Sequence, residues 1–310
     1  MKGLLIQLPT EIAYNHYIID HKTIIRRAKL FSTRTLKLNS PLRKVIRIAL
    51  LTLLILGVPS AALSQQSLTI YFYNPEINTT RNVVLKTVFD QYLKEKGKFQ
   101  FQPVDSRDTI EGLIQNDKNA IFIISNWHFD QLKEQSAPTN PVLRGVKNGS
   151  DTYRKFLVVK NTNTPPETMT IATSGSVPFS QSILADIYPN HTPKQLDKPK
   201  FLLVPKDIDA LMAVGFGLAD AALASELSLE TLSTLYKAQH QQLHILGNSR
   251  PLKRLLVIHH KAESSVKADA IAALNDMSKS NKGLQALHIL GLNGWQSLDE
   301  KRDIKGRPTQ

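Results

Sequence analysis

Residues 67–125 read SLTIYFYNPEINTTRNVVLKTVFDQYLKEKGKFQFQPVDSRDTIEGLIQNDKNAIFIIS, and this stretch indicates the fold class. It begins with SLTIYFYN, a β-branched and aromatic segment that alternates as a strand does and ends at an Asn-Pro turn. Two amphipathic helical patterns follow, separated by the short strand pattern KFQFQPV. The stretch ends with NAIFIIS, a nearly continuous apolar run that is typical of a strand buried on both faces. This β-α-β-α-β order predicts a mostly parallel α/β sheet.

The same alternation restarts after a predicted loop that contains Pro138, Pro141 and Gly149. Helical patterns lie between and after the next strand patterns, which are RKFLVVKN (154–161), MTIATSGS (169–176), KFLLVP (200–205), ADAALAS (219–225) and RLLVIHHK (254–261). We therefore expect two α/β lobes joined near 154–161 and 249–255. The predicted boundaries are 65–157 with 252–298 for lobe 1, 158–251 for lobe 2 and 299–310 for a polar tail.

The N-terminal region predicts export. Basic residues at 43–47 precede an 11-residue apolar run, Ile48–Val58, and small residues follow at Ala62 and Ser64. These are the three parts of a secretory signal, and the run is shorter than the roughly 20 residues that span a bilayer. We expect a signal at 42–64, cleavage after Ser64 and a periplasmic protein, tethered to the membrane only if the signal stays attached. Residues 1–41 are interpreted as a leader produced by a start-site artefact, with a long natural leader as the alternative.

Charge and cysteine content exclude several classes of protein. The chain of 310 residues has a formal net charge of +13, but residues 1–64 hold 10 Lys/Arg and only 2 Asp/Glu, so most of the basicity lies before the predicted lobes. We therefore expect no nucleic-acid binding. The chain has no cysteine, which excludes disulfides, cysteine-ligated zinc, thiol nucleophiles and the lipidated cysteine of a bacterial lipoprotein.

Three loops follow the carboxyl ends of predicted strands, where open α/β sheets bind their ligands. Their candidate residues are Tyr73 and Asn74 in the first loop, Trp127, His128 and Phe129 in the second, and Thr173, Ser174, Gly175 and Ser176 in the third. The aromatic loop either lines a site or packs on the core. The third loop precedes a helix, so its N–H groups and hydroxyls either bind an anion or only cap that helix.

Other polar residues give weaker indications. Asp220 begins a predicted strand, where it either faces a cleft or lies in a solvated turn. The pairs His240/His244 and His259/His260 lack a third ligand at known spacing, so we expect no metal site. Neither a phosphate-binding glycine loop nor a hydrolase or metalloprotease motif occurs, and we expect no cofactor and no catalytic residues.

Several of these segments together resemble the periplasmic solute-binding proteins of phosphate, phosphite and phosphonate ABC transporters, in the type II, transferrin-like class. The resemblance covers about residues 67–298 and rests on IYFYNPE, IISNWHF, GSDTYRKFLVVKN, ATSGSVPFSQSIL, GFGLADAALASE and KSNKGLQALHILGLNGWQSLD.

The resemblance implies a two-lobed protein with mixed and parallel sheets, hinged on two crossover strands, that binds one small ligand between the lobes. The three loops and Asp220 would then form the ligand site, and a membrane permease would be the partner of a monomeric, non-enzymatic protein. Asn126-Trp127 and Phe129 replace the Gly-Pro and Tyr of the family, which leaves room for a larger or more apolar ligand than phosphonate. The alternative is an orphan binding protein that serves a sensor or a lipid-transport system.

Overall fold

The computed structural model describes residues 67–77, 82–134, 139–261 and 264–298. The predicted leader, export signal and polar tail lie outside these residues. Within the described ranges, no helix is both long and apolar enough to cross a membrane.

Six strands form the first sheet. In chain order they are β1 (Leu68–Tyr73), β2 (Phe99–Pro103), β3 (Ile121–Ile124), β4 (Thr139–Val146), β12 (Leu256–His260) and β13 (Gly294–Ser297). Their order across the sheet is β13-β4-β12-β3-β1-β2. The first three are mutually parallel, as the β-α-β-α-β pattern predicts, and β12, β4 and β13 add antiparallel pairs on the other side.

Helices cover both faces of this sheet. They are α1 (Asn82–Leu93), α2 (Arg107–Asn116), α3 (Asn126–Glu134), α9 (Ser265–Asn275) and α10 (Asn281–Ile289), with a 3-10 turn at Asp276–Lys279. Helices α1, α9 and α10 share one apolar core, whereas α2 and α3 share the core on the opposite face. The four side chains of β3 are fully buried and alternate between the two cores, which confirms the prediction of a strand buried on both faces.

Five strands form the second sheet. They are β6 (Lys155–Val159), β7 (Thr170–Thr173), β8 (Lys200–Leu203), β9 (Ala221–Ser225) and β10 (His244–Asn248), in the order β10-β6-β9-β7-β8. Helix α4 (Val177–Ile187) packs on one face, and α6 (Asp207–Gly215) and α7 (Glu226–Leu235) pack on the other. Two short helices, α5 (Pro193–Leu196) and α8 (Lys237–His240), and a 3-10 turn at Pro166–Thr168 complete this part.

A two-stranded ribbon lies where the chain passes between the sheets. Strands β5 (Thr152–Tyr153) and β11 (Leu252–Lys253) pair antiparallel just before the chain enters β6 and β12. Asp151 accepts from Lys253 Nζ at 2.9 Å and from Arg144 Nη1 at 3.3 Å. The two connections between the sheets are therefore joined to each other by backbone pairing and by an ion-pair cluster.

Two local predictions are wrong. The segment predicted as a loop around Pro141 is strand β4, and Pro141 is accommodated because the register with β12 shifts at that point. Residues 126–129 are the first turn of α3 rather than a loop. Ser125 caps this helix, because its Oγ accepts the backbone N–H of His128 at 3.1 Å.

One helix packs so closely that only glycine fits. A Cβ on Gly283, in α10, would lie 2.0 Å from the carbonyl oxygen of Met277. Because that atom belongs to the backbone, it cannot rotate away. Gly112, in the middle of α2, has nothing within 4 Å of the same position.

These two glycines make a matched test of the packing. We expect Gly283→Ala to lower the free energy of unfolding by about 2 kcal/mol or more, because the methyl group overlaps backbone. Gly112→Ala should instead raise it by about 0.5–1 kcal/mol, because alanine is the better helix former. Denaturant unfolding of both variants measures the difference, and equal effects would contradict the described packing of α10.

Candidate functional site

The carboxyl ends of parallel strands from both sheets face each other. Residues 74–76 follow β1, and residues 174–176 follow β7. These two loops are in direct contact, because the backbone N–H of Ser176 donates to the carbonyl of Pro75 at 2.7 Å. The strand ends at which α/β sheets bind ligands therefore meet at one place.

The loop after β7 is built as a helix start. Ser176 is the N-cap of α4, and its Oγ accepts the N–H of Phe179 at 3.4 Å. Thr173 Oγ1 accepts the N–H of Gly175 at 3.2 Å and lies 2.9 Å from Ser180 Oγ. A Cβ on Gly175 would lie 2.7 Å from the Phe179 ring, so glycine lets the chain pass between that ring and the loop after β1.

A buried ion pair lies beside this loop. Lys155 Nζ, at the start of β6, contacts the two carboxylate oxygens of Asp207 at 2.7 and 2.8 Å. Ser174 Oγ donates to the same carboxylate at 2.6 Å, and the N–H of Ser225 donates at 2.8 Å. Burial opposes the charge, but Lys155 and these two donors hold the pKa of Asp207 below its ordinary value. The pair fixes the ends of β6, β7 and β9 to the start of α6.

A second buried carboxyl, that of Glu76, comes from the loop after β1. Glu76 is only 7% exposed, and its Oε2 accepts the hydroxyl proton of Tyr153. Burial is the main cause that raises its pKa to about 7, while Tyr153, Lys155, Ser125 and Arg254 act in the opposite direction. Glu76 thus lies among hydrogen-bond donors and cations that come from both sheets.

The aromatic segment after β3 divides between site and core. Phe129 and His128 are buried in the first part, and His128 Nε2 lies 2.9 Å from Glu111 Oε1. Burial lowers the pKa of His128. Trp127 packs edge-on against Phe179 of α4 with 5.6 Å between ring centroids. Of these three side chains, only Trp127 contacts a helix of the second sheet. Phe129 and His128 instead pack on the core of the first sheet, which is the second of the two predicted alternatives.

The first predicted loop is present, with different roles for its two residues. Tyr73 is buried and packs edge-on against His128, with ring centroids 5.1 Å apart. Asn74 Oδ1 accepts the N–H of Glu76 at 3.0 Å and shapes the turn that carries this carboxyl group.

Asp220 does not join the other predicted residues. Its Oδ2 accepts the N–H of Thr170 at 2.8 Å, at the amino end of β7. Because β7 and β9 are parallel, this is the opposite end of the sheet from Ser174 and Ser176. The predicted cleft position of Asp220 is therefore wrong, and its carboxylate fixes the start of two strands.

The acidic and cationic groups of the site were missed by sequence reasoning. They are Glu76, Tyr153, Lys155, Asp207 and Arg254. Glu76 stands two residues after the predicted Asn74, and Tyr153 and Lys155 lie beside or in a predicted crossover strand. No spacing within the sequence places Asp207 next to Lys155, because 52 residues separate them.

The described residues contain no group of three or more His, Cys, Asp or Glu side chains that could hold a metal ion. His240 ends α8 while His244 begins β10, and His260 Nε2 contacts the carbonyl of Ile114.

Residues 72–303 match the family described as the periplasmic substrate-binding protein of phosphonate ABC transporters. No curated protein matches the chain. This family match confirms the resemblance that the sequence segments predict.

Solved structures share the fold. A binding-protein component of an ABC phosphonate transporter from Pseudomonas aeruginosa is 16% identical, with a TM-score of 0.53 over 76% of this chain and 83% of that one. PhnD1 from Prochlorococcus marinus, in complex with methylphosphonate, is 10% identical, with a TM-score of 0.53 over 76% and 93%. A Xanthomonas citri protein bound to ATP is 14% identical, with a TM-score of 0.54 over 76% and 92%. These likenesses confirm the predicted type II periplasmic-binding fold.

The buried ion pair gives a test of the site's construction. Lys155→Met leaves the Asp207 carboxylate buried without its cation, so we expect a loss of about 3–5 kcal/mol in the free energy of unfolding. The matched control is Lys279→Met, whose partner Asp276 is exposed; that change should cost less than about 1 kcal/mol. Denaturant unfolding measures both, and similar losses would show that Lys155 is solvated rather than buried.

Glu76 gives a pH test. Its folded pKa of about 7 lies above the ordinary value of 4.5, so the folded protein binds more protons between these limits and loses stability as pH rises through them. We expect the wild-type free energy of unfolding to fall relative to Glu76→Gln by up to about 3 kcal/mol between about pH 4.5 and pH 7.5. Glu230→Gln, at an exposed position, should follow the wild type. Parallel pH profiles for wild type and Glu76→Gln would contradict the burial of this carboxyl group.

Proposed function

This chain belongs to the periplasmic substrate-binding proteins of phosphonate ABC transporters, and from that membership we propose that it captures a small oxyanion between its two sheets for delivery to a membrane permease. The observation that carries the proposal is the meeting of the loop at 174–176 with the loop at 74–76, beside Lys155 and Arg254. Backbone N–H groups at a helix start, hydroxyls and cations are the groups that bind oxyanions.

The ligand site that we propose differs in part from the predicted set. Its second side consists of Ser174, Gly175 and Ser176 at the start of α4, with Trp127 and Phe179 as an apolar wall. Its first side is the turn from Asn74 to Glu76. Thr173 and Asn74 support these loops through hydrogen bonds, and we assign no ligand contact to Asp220.

The two sheets support a two-lobed organisation, but not the predicted boundary between lobe 1 (65–157 and 252–298) and lobe 2 (158–251). That boundary falls inside β6 (Lys155–Val159), which pairs along its whole length in the second sheet. We propose that the ribbon of β5 and β11 is the hinge, because both connections between the sheets pass through it. In hinge closure around a ligand, only a few residues change their backbone angles. A short two-stranded ribbon would place these residues next to each other in both connections.

We further propose a monomeric protein without catalytic activity that is exported by the signal at 42–64. Its hydroxyl groups at the site are occupied by structural roles. Ser174 donates to a carboxylate that Lys155 already neutralises, and Ser176 caps a helix, so neither is paired with a base that could activate it.

A second candidate function is a sensor or partner component on the same fold. The observation that favours it is the bond from Ser176 N–H to Pro75, together with the burial of Glu76. Acceptors of the protein itself already bond the donors where the two loops meet. Loops that bond each other without a ligand suit a protein that signals through a protein partner.

Ligand-linked stabilisation tests the proposed transport function. Methylphosphonate, phosphate and phosphite are added to the purified protein, and the thermal midpoint is measured at increasing concentration. A ligand that binds only the folded state adds about 2.7 kcal/mol at a hundredfold excess over Kd, so we expect a clear upward shift with at least one of them. No shift with any small anion would contradict oxyanion capture and favour the second candidate.

The variants for this experiment separate site from scaffold. Ser174→Ala removes the hydroxyl that bonds the loop after β7 to Asp207. The start of α4 then loses one of the bonds that position it, and we expect the affinity to fall about tenfold. Ser182→Ala, within α4, removes a hydroxyl that bonds only the local carbonyl of Phe179 at 2.6 Å and should leave the affinity unchanged.

A further inference from the structure

We infer that Glu76 is an internal competitor for the oxyanion: its carboxylate occupies the donors that meet between the sheets, and ligand capture is coupled to the uptake of a proton by this side chain. The inference rests on the proposed function, and it adds a residue that determines when and how strongly the site binds.

The geometry around Glu76 is that of an anion site. The Tyr153 hydroxyl donates to its Oε2, and Ser125 supplies a second side-chain hydrogen bond. The preceding carbonyl, that of Pro75, accepts the N–H of Ser176, the N-cap residue of α4, at 2.7 Å. A carboxylate with two oxygens has the same donor requirements as part of a phosphonate or phosphate group. The carboxyl group of Glu76 therefore lies where these hydrogen-bond donors converge, which is the place where a bound oxyanion would accept from them.

The charged groups around Glu76 come from several elements. Lys155 of β6 faces it but is paired with Asp207 of α6 through both carboxylate oxygens. Arg254, just before β12, faces it as well and stacks on Tyr153, with 5.4 Å from the guanidinium carbon to the ring centroid. Asp207 in turn acts on Tyr153, whose pKa burial raises well above its ordinary value.

Other titratable groups near the site are held by different partners. Asp151 is paired with Lys253 and Arg144. The backbone N–H of His128 donates to Ser125 Oγ, but its ring contacts Glu111 and not Glu76. Both Glu76 and Asp151 act on Arg254, and Glu76 is the one that belongs to the turn at the meeting point. A ligand that brings negative charge there therefore meets the like charge of Glu76.

Linkage then fixes the sign of the effect. A bound oxyanion disfavours the ionised form of Glu76, so binding raises the pKa of this carboxyl group and draws in a proton. Burial already places that pKa at about 7. Affinity should be highest below this value, where Glu76 is neutral and does not compete with the ligand for Arg254 and the hydroxyl donors, and should fall as the pH rises through it.

The experiment measures methylphosphonate affinity by titration calorimetry at about pH 6 and about pH 8 for wild type, Glu76→Gln and the exposed control Glu230→Gln. Because methylphosphonate itself titrates near this range, the quantity that matters is the wild-type Kd divided by the Glu76→Gln Kd. We expect that ratio to rise about tenfold between the two pH values, with Glu76→Gln the tighter binder at the higher one. Glu230→Gln should behave as wild type does.

Calorimetry in two buffers with different ionisation enthalpies adds an independent count of protons. At about pH 8 we expect wild type to take up close to one proton more per ligand than Glu76→Gln. If Glu76→Gln does not fold, as judged by circular dichroism, Glu76→Met replaces it, since an uncharged side chain of similar length that leaves the donors should also bind more tightly than wild type at the higher pH.

The outcomes distinguish the two proposals. Binding by wild type with a pH-independent ratio, and with no extra proton, would overturn the role of Glu76 while leaving oxyanion capture intact. Absence of binding by every folded variant at both pH values would overturn the proposed function, and the role of Glu76 with it.

Discussion

The ion pair between Lys155 and Asp207 is the interaction on which the cleft side of the second sheet depends. Two charges removed from water cost several kcal/mol each, and only close pairing with further hydrogen bonds offsets that cost. Here the carboxylate accepts four bonds, from Lys155, Ser174 and Ser225, and each donor belongs to a different segment. The requirement to satisfy one buried carboxylate therefore positions the loop after β7 and the ends of β6 and β9 together. Ser174 is oriented before any ligand arrives, because its hydroxyl has a fixed acceptor.

The first sheet supplies a contrasting carboxyl group. Burial acts to raise the pKa of both groups, but Asp207 has a cation at 2.7 Å and its pKa is lowered overall, whereas Glu76 is bonded mainly by hydroxyl donors and its pKa is raised. The two acids lie at the same meeting point, yet their pKa values are shifted in opposite directions. The charge of Asp207 is held by its partners, whereas a raised pKa is the condition that the inferred proton uptake by Glu76 requires. This difference follows from the partners and not from the type of residue.

Much of the framework could be predicted from sequence, since strands buried on both faces and helix starts are local patterns. NAIFIIS and the Ser174–Ser176 turn were placed correctly because an apolar run and a capping serine depend on neighbours within a few residues. The cleft acids could not be placed in this way. Asp220 does lie at the start of its strand as predicted, but the amino end of β9 is the end away from the loops after β1 and β7, so its carboxylate accepts the N–H of Thr170 and does not face the cleft. Residues 126–129 were expected in a loop but begin helix α3. The Ser125 side chain caps that helix, but its bond to the His128 N–H becomes evident only from the backbone conformation.

The charge of the whole chain gives little information about the ligand. A formal charge of +13 suggests a strongly attractive surface for anions, yet 10 of the cationic residues lie before residue 65. Within the cleft the balance rests on Lys155 and Arg254 against Asp207 and Glu76. Long-range attraction is screened within about 10 Å at ordinary salt, so the charge of distant surface residues acts only weakly on a ligand in the proposed site. A change of one charge on Glu76 alters that local balance more than the removal of several surface lysines would, because the side chain is shielded from solvent and lies among the donors themselves.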